Sequence, residues 1–295
     1  MRVLVIGATG LLGRVLLEAG NGLQVTGAGS QDADIRDQEQ VNQLLARRQP
    51  DWTVLAAAYT NVDGCEKNPE HCHEVNHRGA LNVARSAAAA GSKLLFLSTD
   101  YVFDGTSNRP YEPGDPVCPI NEYGHSKAQA EEGVRQILPD ACILRTSWLF
   151  GAAGNCFPNK ILEMAQSRSN IPVVADQFGS PTYNRDLARI IVGLVSAGAR
   201  GTIHATNSNS CSWYEFAQAI LSAAGKTDVA VTPVSTEEFP RPARRPKYSV
   251  LSTASVEALG IHPRPWQEAL KDYFLDRDLA SAEAQPLVRG GSISQ

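Results

Sequence analysis

The sequence of 295 residues contains no run approaching ~20 uninterrupted apolar residues, so no segment reads as a membrane span. It has no C-x-x-C pair. Its six cysteines (Cys65, Cys72, Cys118, Cys142, Cys156 and Cys211) form no compact framework, which in a chain of this length predicts reduced thiols and a cytoplasmic protein. It also lacks basic excess: 27 Lys and Arg face 31 Asp and Glu, for a net charge of −4. No positive field invites a nucleic-acid backbone, and an acidic substrate must be met by local Arg and Lys. Internal repeats and low-complexity tracts are absent as well. His71-Cys72-His73, with Cys65 nearby, is poor ligand geometry, and no metal is expected there. What remains, 43% hydrophobic and 20% charged residues, is ordinary globular composition.

The first half alternates short apolar runs with helical patterns. Strands are expected at Arg2–Ile6, Gln24–Gly27, Trp52–Ala57, Lys93–Ser98 and Ala141–Thr146. Helices are expected over about Leu11–Glu18, Gln38–Arg48, Glu70–Ala90 and Glu122–Arg135. Strand–helix alternation of this kind predicts an α/β fold, a Rossmann-type doubly wound parallel sheet with helices on both faces. The apolar opening resembles a signal peptide only superficially, because Gly7, Gly10, Gly13 and Arg14 interrupt it.

After residue 150 the pattern loosens. Helices are expected near Asn159–Arg168, Asn184–Ser196, Ser212–Ala224 (its start marked by capping-box spacing) and Trp266–Leu275, with 238–246 irregular. Residues 1–150 and about 183–207 are expected to form the cofactor-binding domain. About 151–182 and 208–275 form a smaller α/β substrate-binding domain, and 276–295 a mobile tail.

Gly7-Ala8-Thr9-Gly10-Leu11-Leu12-Gly13 follows the first strand and opens the first helix. Glycines there permit the tight turn, approach to a pyrophosphate and helix-on-strand packing, while the helix N-terminus offers free N–H groups. The G-x-x-G-x-x-G spacing resembles the extended branch of the short-chain dehydrogenase/reductase superfamily. The second strand ends in Gly27-Ala28-Gly29-Ser30, without a carboxylate to hold a ribose 2′-hydroxyl. Ser30 can donate to a 2′-phosphate, so NADPH is the expected cofactor, with NADH as the alternative. Asp34-Ile35 resembles the superfamily's adenine-contacting pair. Ala56, Ala57 and Ala58 lie at the same rim, where small side chains permit close cofactor approach or simply pack.

Tyr123 and Lys127 are four residues apart on one helix face. Reduction of a ketone puts negative charge on its oxygen, which calls for a proton donor. A tyrosine whose pKa is lowered by a neighbouring ammonium suits that task. Ser98 and Thr99 stand at the carboxyl end of a central strand, where open α/β sheets bind ligands. Thr99 is the choice for orienting the carbonyl, with Ser98 second. His125 reads as an outward, bland residue and His204 as a core one.

Several segments together resemble the dTDP-4-dehydrorhamnose reductase family. They are residues 57–63 (AAYTNVD), 98–105 (STDYVFDG), 123–127 (YGHSK), 145–148 (RTSW), 176–182 (DQFGSPT) and 245–249 (RPKYS). The resemblance spans roughly residues 1 to 275. It implies hydride delivery from NAD(P)H to C4 of dTDP-4-dehydro-L-rhamnose, with Tyr123 as proton donor, Lys127 tuning it and holding the nicotinamide ribose, and Thr99 orienting the carbonyl. Trp148 and Val62 match positions that pack the sugar, with Asp100 and Tyr101 beside them. Arg244 and Arg245, in a group with Arg241 and Lys247, fit a diphosphate. Some family members hold magnesium through interface glutamates, but 183–186 (YNRD) offers none, and no metal is expected. Partners are a nucleotide-sugar substrate, no nucleic acid and no membrane, with homodimer formation left open. Two other readings stay open: another nucleotide-deoxysugar ketoreductase or epimerase, and a non-catalytic dinucleotide-binding subunit resembling that of methionine adenosyltransferase.

Overall fold

The computed structural model describes residues 1–20 and 22–283. Its first half runs β1 (Arg2–Ile6), α1 (Leu11–Glu18), β2 (Gln24–Ala28), α2 (Gln38–Arg48), β3 (Trp52–Leu55), α3 (Val62–Lys67), α4 (Pro69–His73), a π-helical turn (Glu74–Arg78) and α5 (Gly79–Ala89). Then come β4 (Lys93–Thr99), a 3-10 turn (Asp100–Val102), α6 (Glu122–Ile137) and β5 (Cys142–Thr146). The second half comprises β6 (Leu149–Phe150), α7 (Phe157–Met164), β7 (Asn170–Val174), β8 (Phe178–Gly179), β9 (Thr182–Tyr183), α8 (Asn184–Ala197) and β10 (Gly201–His204). It closes with β11 (Cys211–Ser212), α9 (Trp213–Ala223), β12 (Ala230–Val234), α10 (Ala254–Glu257) and α11 (Trp266–Glu283).

Six strands form one parallel sheet in the order β10-β5-β4-β3-β1-β2. The expected doubly wound α/β architecture is thus present. Alternate strand residues face opposite layers, as the period of two requires. Val3, Val5, Trp52, Val54, Leu95 and Leu144 pack with Leu12 and Leu16 of α1 and Leu187, Ile191 and Leu194 of α8. Leu4, Ile6, Leu55, Leu94, Phe96 and Ile143 pack on the other face with α2, α5 and α6 through Leu44, Val83 and Val134. Burial on both faces explains why these strands are almost continuously apolar. Local signals set the helix ends: Asp37 caps α2 by accepting from the N–H groups of Glu39 and Gln40, and Gly198, at φ 66°, ends α8.

A second cluster forms from α7, α9, α11 and β7, centred on Phe150, Phe216, Trp266 and Tyr273. Its parallel pair β7–β12 was not expected from sequence, because Pro172 and Pro233 sit within the strands. A two-stranded ribbon has only edge strands, where proline is tolerated. The expected single helix over Glu70–Ala90 is interrupted by the π turn at Glu74–Arg78. The tail expected from Asp276 also needs correction, since α11 continues to Glu283. The Asp276 carboxylate accepts from the Tyr183 hydroxyl and from the Arg185 guanidinium, which anchors that helix. The rest of the expected tail, residues 284–295, lies outside the described residues.

Candidate functional site

The sheet order reverses at β1, whose neighbours β2 and β3 diverge to opposite sides; this is where doubly wound sheets open a crevice. Gly7 turns the chain out of β1 at φ 95°, and a Cβ there would lie 2.5 Å from the backbone nitrogen of Ala57. At Gly13 a Cβ would lie 2.1 Å from the Gly7 carbonyl oxygen, so α1 can pack on the turn only without a side chain. Gly10 is the N-cap of α1, and the helical ladder starts with the Arg14 N–H to Gly10 at 3.2 Å. The N–H groups of Leu11, Leu12 and Gly13, which precede Arg14 in the helix, are therefore available to an anion. Leu12 contributes only backbone to this rim, because its side chain is buried in the core. Leu11 packs toward the second cluster, and its carbonyl accepts from Asn184 at 2.8 Å.

A cavity of about 330 Å³ opens beside this turn, lined by Gly7, Ser30, Asp34, Ile35, Arg36, Ala57, Ala58 and others. Ala56 lies just behind the rim, packed against the core. Arg36 of this lining falls in no recognised spacing, and Tyr59 lies within the 57–63 segment but carries no expected role there. Asp34 is not a free acceptor. Its carboxylate binds the Arg36 guanidinium at 2.6 Å and 3.0 Å, and Arg36 is the largest cause holding its pKa below the ordinary carboxylate range.

Thr99, Tyr123 and Lys127 converge at the carboxyl end of β4. Thr99 caps the 3-10 turn: its hydroxyl accepts from Tyr101 N–H at 3.2 Å and donates to Asp100 Oδ1 at 3.0 Å. Lys127 is 2% exposed, donates to the Leu97 carbonyl at 2.6 Å and lies 4.0 Å from the Phe96 ring centre. Burial lowers its pKa to about 7, against the pull of Glu131. Burial also raises the Tyr123 phenol well above its ordinary value, with the neighbouring Asp100 adding to the rise and the Thr99 side chain opposing it. The direction is opposite to the lowered tyrosine pKa expected from the Lys127 spacing. Desolvation is the largest cause of the rise, and the Lys127 ammonium is turned to a backbone carbonyl.

Around this centre the chain is held by buried polar contacts with no sequence signature. Asn76, on the π turn, takes Tyr59 N–H at 2.7 Å and donates to the Tyr59 carbonyl at 3.0 Å and to Ser126 Oγ at 3.1 Å. It thereby ties the β3 rim to the helix carrying Tyr123. Glu131, one turn past Lys127, pairs with Arg145 of β5 at 2.6 Å and 2.9 Å and accepts from Ser98 at 2.6 Å. Burial alone would raise the Glu131 pKa, but Arg145 holds it below the usual range. Ser98 thus serves this network rather than the open rim. His204 is a core residue, its ring between Arg145 at 3.3 Å and the Tyr111 carbonyl at 3.0 Å.

A larger cleft of about 1150 Å³ lies between Tyr101 at the end of β4, α7 and the irregular 236–247 segment. Tyr101 meets Tyr123 edge to face at 6.0 Å, which connects cleft and reactive residues. Arg244 and Arg245 both line it, with Arg241, Lys247, Lys160 and Arg168. Arg245 is pinned by Asp63 at 2.5 Å and by the Ala243 carbonyl at 2.6 Å, whereas the Arg244, Lys247, Lys160 and Arg168 side chains have no ion pair among the described residues. Trp148 does not line this cleft. It adopts φ 44° and stacks face to face on Trp213 at 3.4 Å, and Trp213 is the ring that meets the cleft. Val62 likewise starts α3 beside Asp63, off the cleft wall.

A parallel sheet with a glycine turn at its switch point, and a tyrosine and a buried lysine one helical turn apart with a hydroxyl beside them, defines a Rossmann-type oxidoreductase. Within that class, the chain belongs to the family described as RmlD substrate binding domain, which matches residues 1–278. It is 41% identical over 283 residues to the spore coat polysaccharide biosynthesis protein SpsK of Bacillus subtilis, covering 95% of this chain and 99% of that one. A dTDP-4-dehydrorhamnose reductase from Clostridium acetobutylicum superposes with a TM-score of 0.91 at 38% identity, over 95% of this chain and 100% of that one. The dTDP-4-dehydrorhamnose reductase of Bacillus anthracis, solved in complex with NADP, superposes at 0.89 with 40% identity, over 93% and 99%. No helix among the described residues is long and apolar enough to cross a membrane.

Proposed function

We propose that the protein reduces the C4 keto group of dTDP-4-dehydro-L-rhamnose to give dTDP-L-rhamnose, using NADPH. Support for the cofactor comes from the glycine turn, where the absence of a Cβ at Gly7 and Gly13 lets the turn, the β3 rim and the N-terminus of α1 pack closely together. When bound there, NADPH supplies the hydride. Residues 1–150 and about 183–207 make the cofactor lobe in this reading, and the cleft-lining remainder holds the nucleotide sugar.

The chain's own residues then have distinct tasks. Tyr123, neutral because its burial disfavours the phenolate, carries the proton that the carbonyl oxygen needs. Thr99 turns its hydroxyl from Asp100 to the carbonyl oxygen. Lys127 faces the cofactor's ribose, where ribose hydroxyls replace the Leu97 carbonyl as its partner. Arg244 and Lys247 meet the diphosphate. Trp213, backed by Trp148, closes the sugar side. The observation that supports the reading is that Thr99 and Tyr123 meet at the carboxyl end of β4, with Lys127 one helical turn on and Tyr101 linking Tyr123 to the larger cleft.

Oxidation of NADPH followed at 340 nm with dTDP-4-dehydro-L-rhamnose tests it. Wild type should turn over, and Tyr123→Phe should lose about 10²–10⁴-fold in kcat while still binding NADPH. A folded wild type that binds NADPH but ignores this sugar would refute the substrate, and full activity in Tyr123→Phe would refute the proton donor.

A further inference from the structure

We propose that Arg36, with Ser30, is the 2′-phosphate anchor by which the smaller cavity selects NADPH over NADH, and that Asp34 is its fixed counter-ion rather than a ribose ligand. This rests on the reading of that cavity as the adenosine end of the cofactor site.

Ser30, Asp34, Ile35 and Arg36 line one cavity at the carboxyl edge of β1 and β2. Arg36 is the one Arg or Lys among the described residues lining it. The Asp34 carboxylate engages only the Nε and Nη2 edge of the guanidinium, at 2.6 Å and 3.0 Å, and also accepts the Arg36 backbone N–H at 2.9 Å. The outer N–H groups of the fork stay free, in the planar geometry that phosphate oxygens match. The backbone is fixed from below. Asn82 of α5 is buried and donates to the carbonyls of both Ile35 and Arg36 at 3.0 Å. Gln40 accepts Asp34 N–H at 3.0 Å. A charged fork held this firmly loses little freedom when it meets an anion.

The acids nearby are already engaged. Asp32 closes the turn by accepting Gly29 N–H at 2.8 Å, and Asp37 is spent on capping α2. Glu74, whose charge also reaches Arg36, lies 3.9 Å from Arg78. A ribose 2′-hydroxyl therefore finds no idle carboxylate of the kind that marks NAD sites. Ser30 sits at the end of β2 with no hydrogen bond from its hydroxyl among the described residues, so it can donate to the same phosphate.

Calorimetric titration of the full chain with 2′,5′-ADP and with 5′-AMP separates phosphate recognition from adenosine binding. Wild type should bind 2′,5′-ADP about ten- to a hundredfold more tightly than 5′-AMP. Arg36→Ala should lose most of that ratio with its 5′-AMP affinity unchanged, and Arg36→Lys should keep part of it. Equal wild-type affinity for the two nucleotides, or an equal loss for both in Arg36→Ala, would overturn the assignment. Failure of both to bind wild type would overturn the cofactor reading itself, and the proposal with it. Arg36 is half exposed, so the substitution leaves the core intact.

Discussion

Asp100 is 3% exposed, and its Oδ2 has no hydrogen-bond partner among the described residues. Burial raises its pKa from 3.8 to about 7, against the pull of the Ser249 and Thr99 hydroxyls. The native state therefore binds a proton that the unfolded state releases between those two values. Its contribution to stability is fully present below 3.8 and disappears as pH rises through about 7. A shift of that size corresponds to roughly 4 kcal/mol. Asp100→Asn keeps the shape of the neutral acid and cannot ionise. Two other buried groups act oppositely: His204, lowered to about 3, and Lys127, lowered to about 7, both favour the native state as pH rises toward their unfolded values. The informative quantity is thus the difference between variant and wild type, in which those contributions cancel. Melting temperatures of both proteins, measured from pH 4.5 to 8.5, should show Asp100→Asn gaining on wild type by roughly 4–8 °C across the range. A difference that stays constant with pH would mean that Asp100 does not change protonation between these limits, and would refute the reasoning.

Two further outcomes follow from the packing. Glu131→Gln strands the buried Arg145 guanidinium and should cost about 3–5 kcal/mol in urea denaturation; a midpoint matching wild type would show that the pair is replaceable by solvent. Gly13→Ala places a Cβ 2.1 Å from the Gly7 oxygen, whereas Gly10→Ala meets that oxygen at 3.3 Å. NADPH fluorescence titration should therefore show binding abolished in the first and weakened only modestly in the second, and equal affinities would sink the account of the turn.

Much of the sheet could be read from the chain because both of its faces are buried. Strands such as Leu94–Phe96 and Cys142–Leu144 have no polar side to blur them, and the glycine spacing marks where the first strand ends. Elements stabilised by distant contacts were illegible. The ribbon of β7 and β12 contains proline, and α11 runs on because Asp276 finds Tyr183 and Arg185 far away in sequence. The π turn that aims Asn76 interrupts an otherwise regular helical pattern without leaving a mark on it.

The site divides in the same way. Residue types and local spacings by themselves determined that a glycine turn joins β1 to α1 and that Tyr123 and Lys127 share a helix face, because both depend on a few consecutive residues. Only the tertiary structure decided which charges are free and which are spent. Arg245 is consumed by Asp63, Asp34 by Arg36 and Ser98 by Glu131, while Trp148 is covered by Trp213. It also decided that burial, and not the neighbouring ammonium, sets the proton affinity of Tyr123. The physical reason is that charge pairing and desolvation depend on distances through space between segments far apart in the chain, which no local pattern encodes.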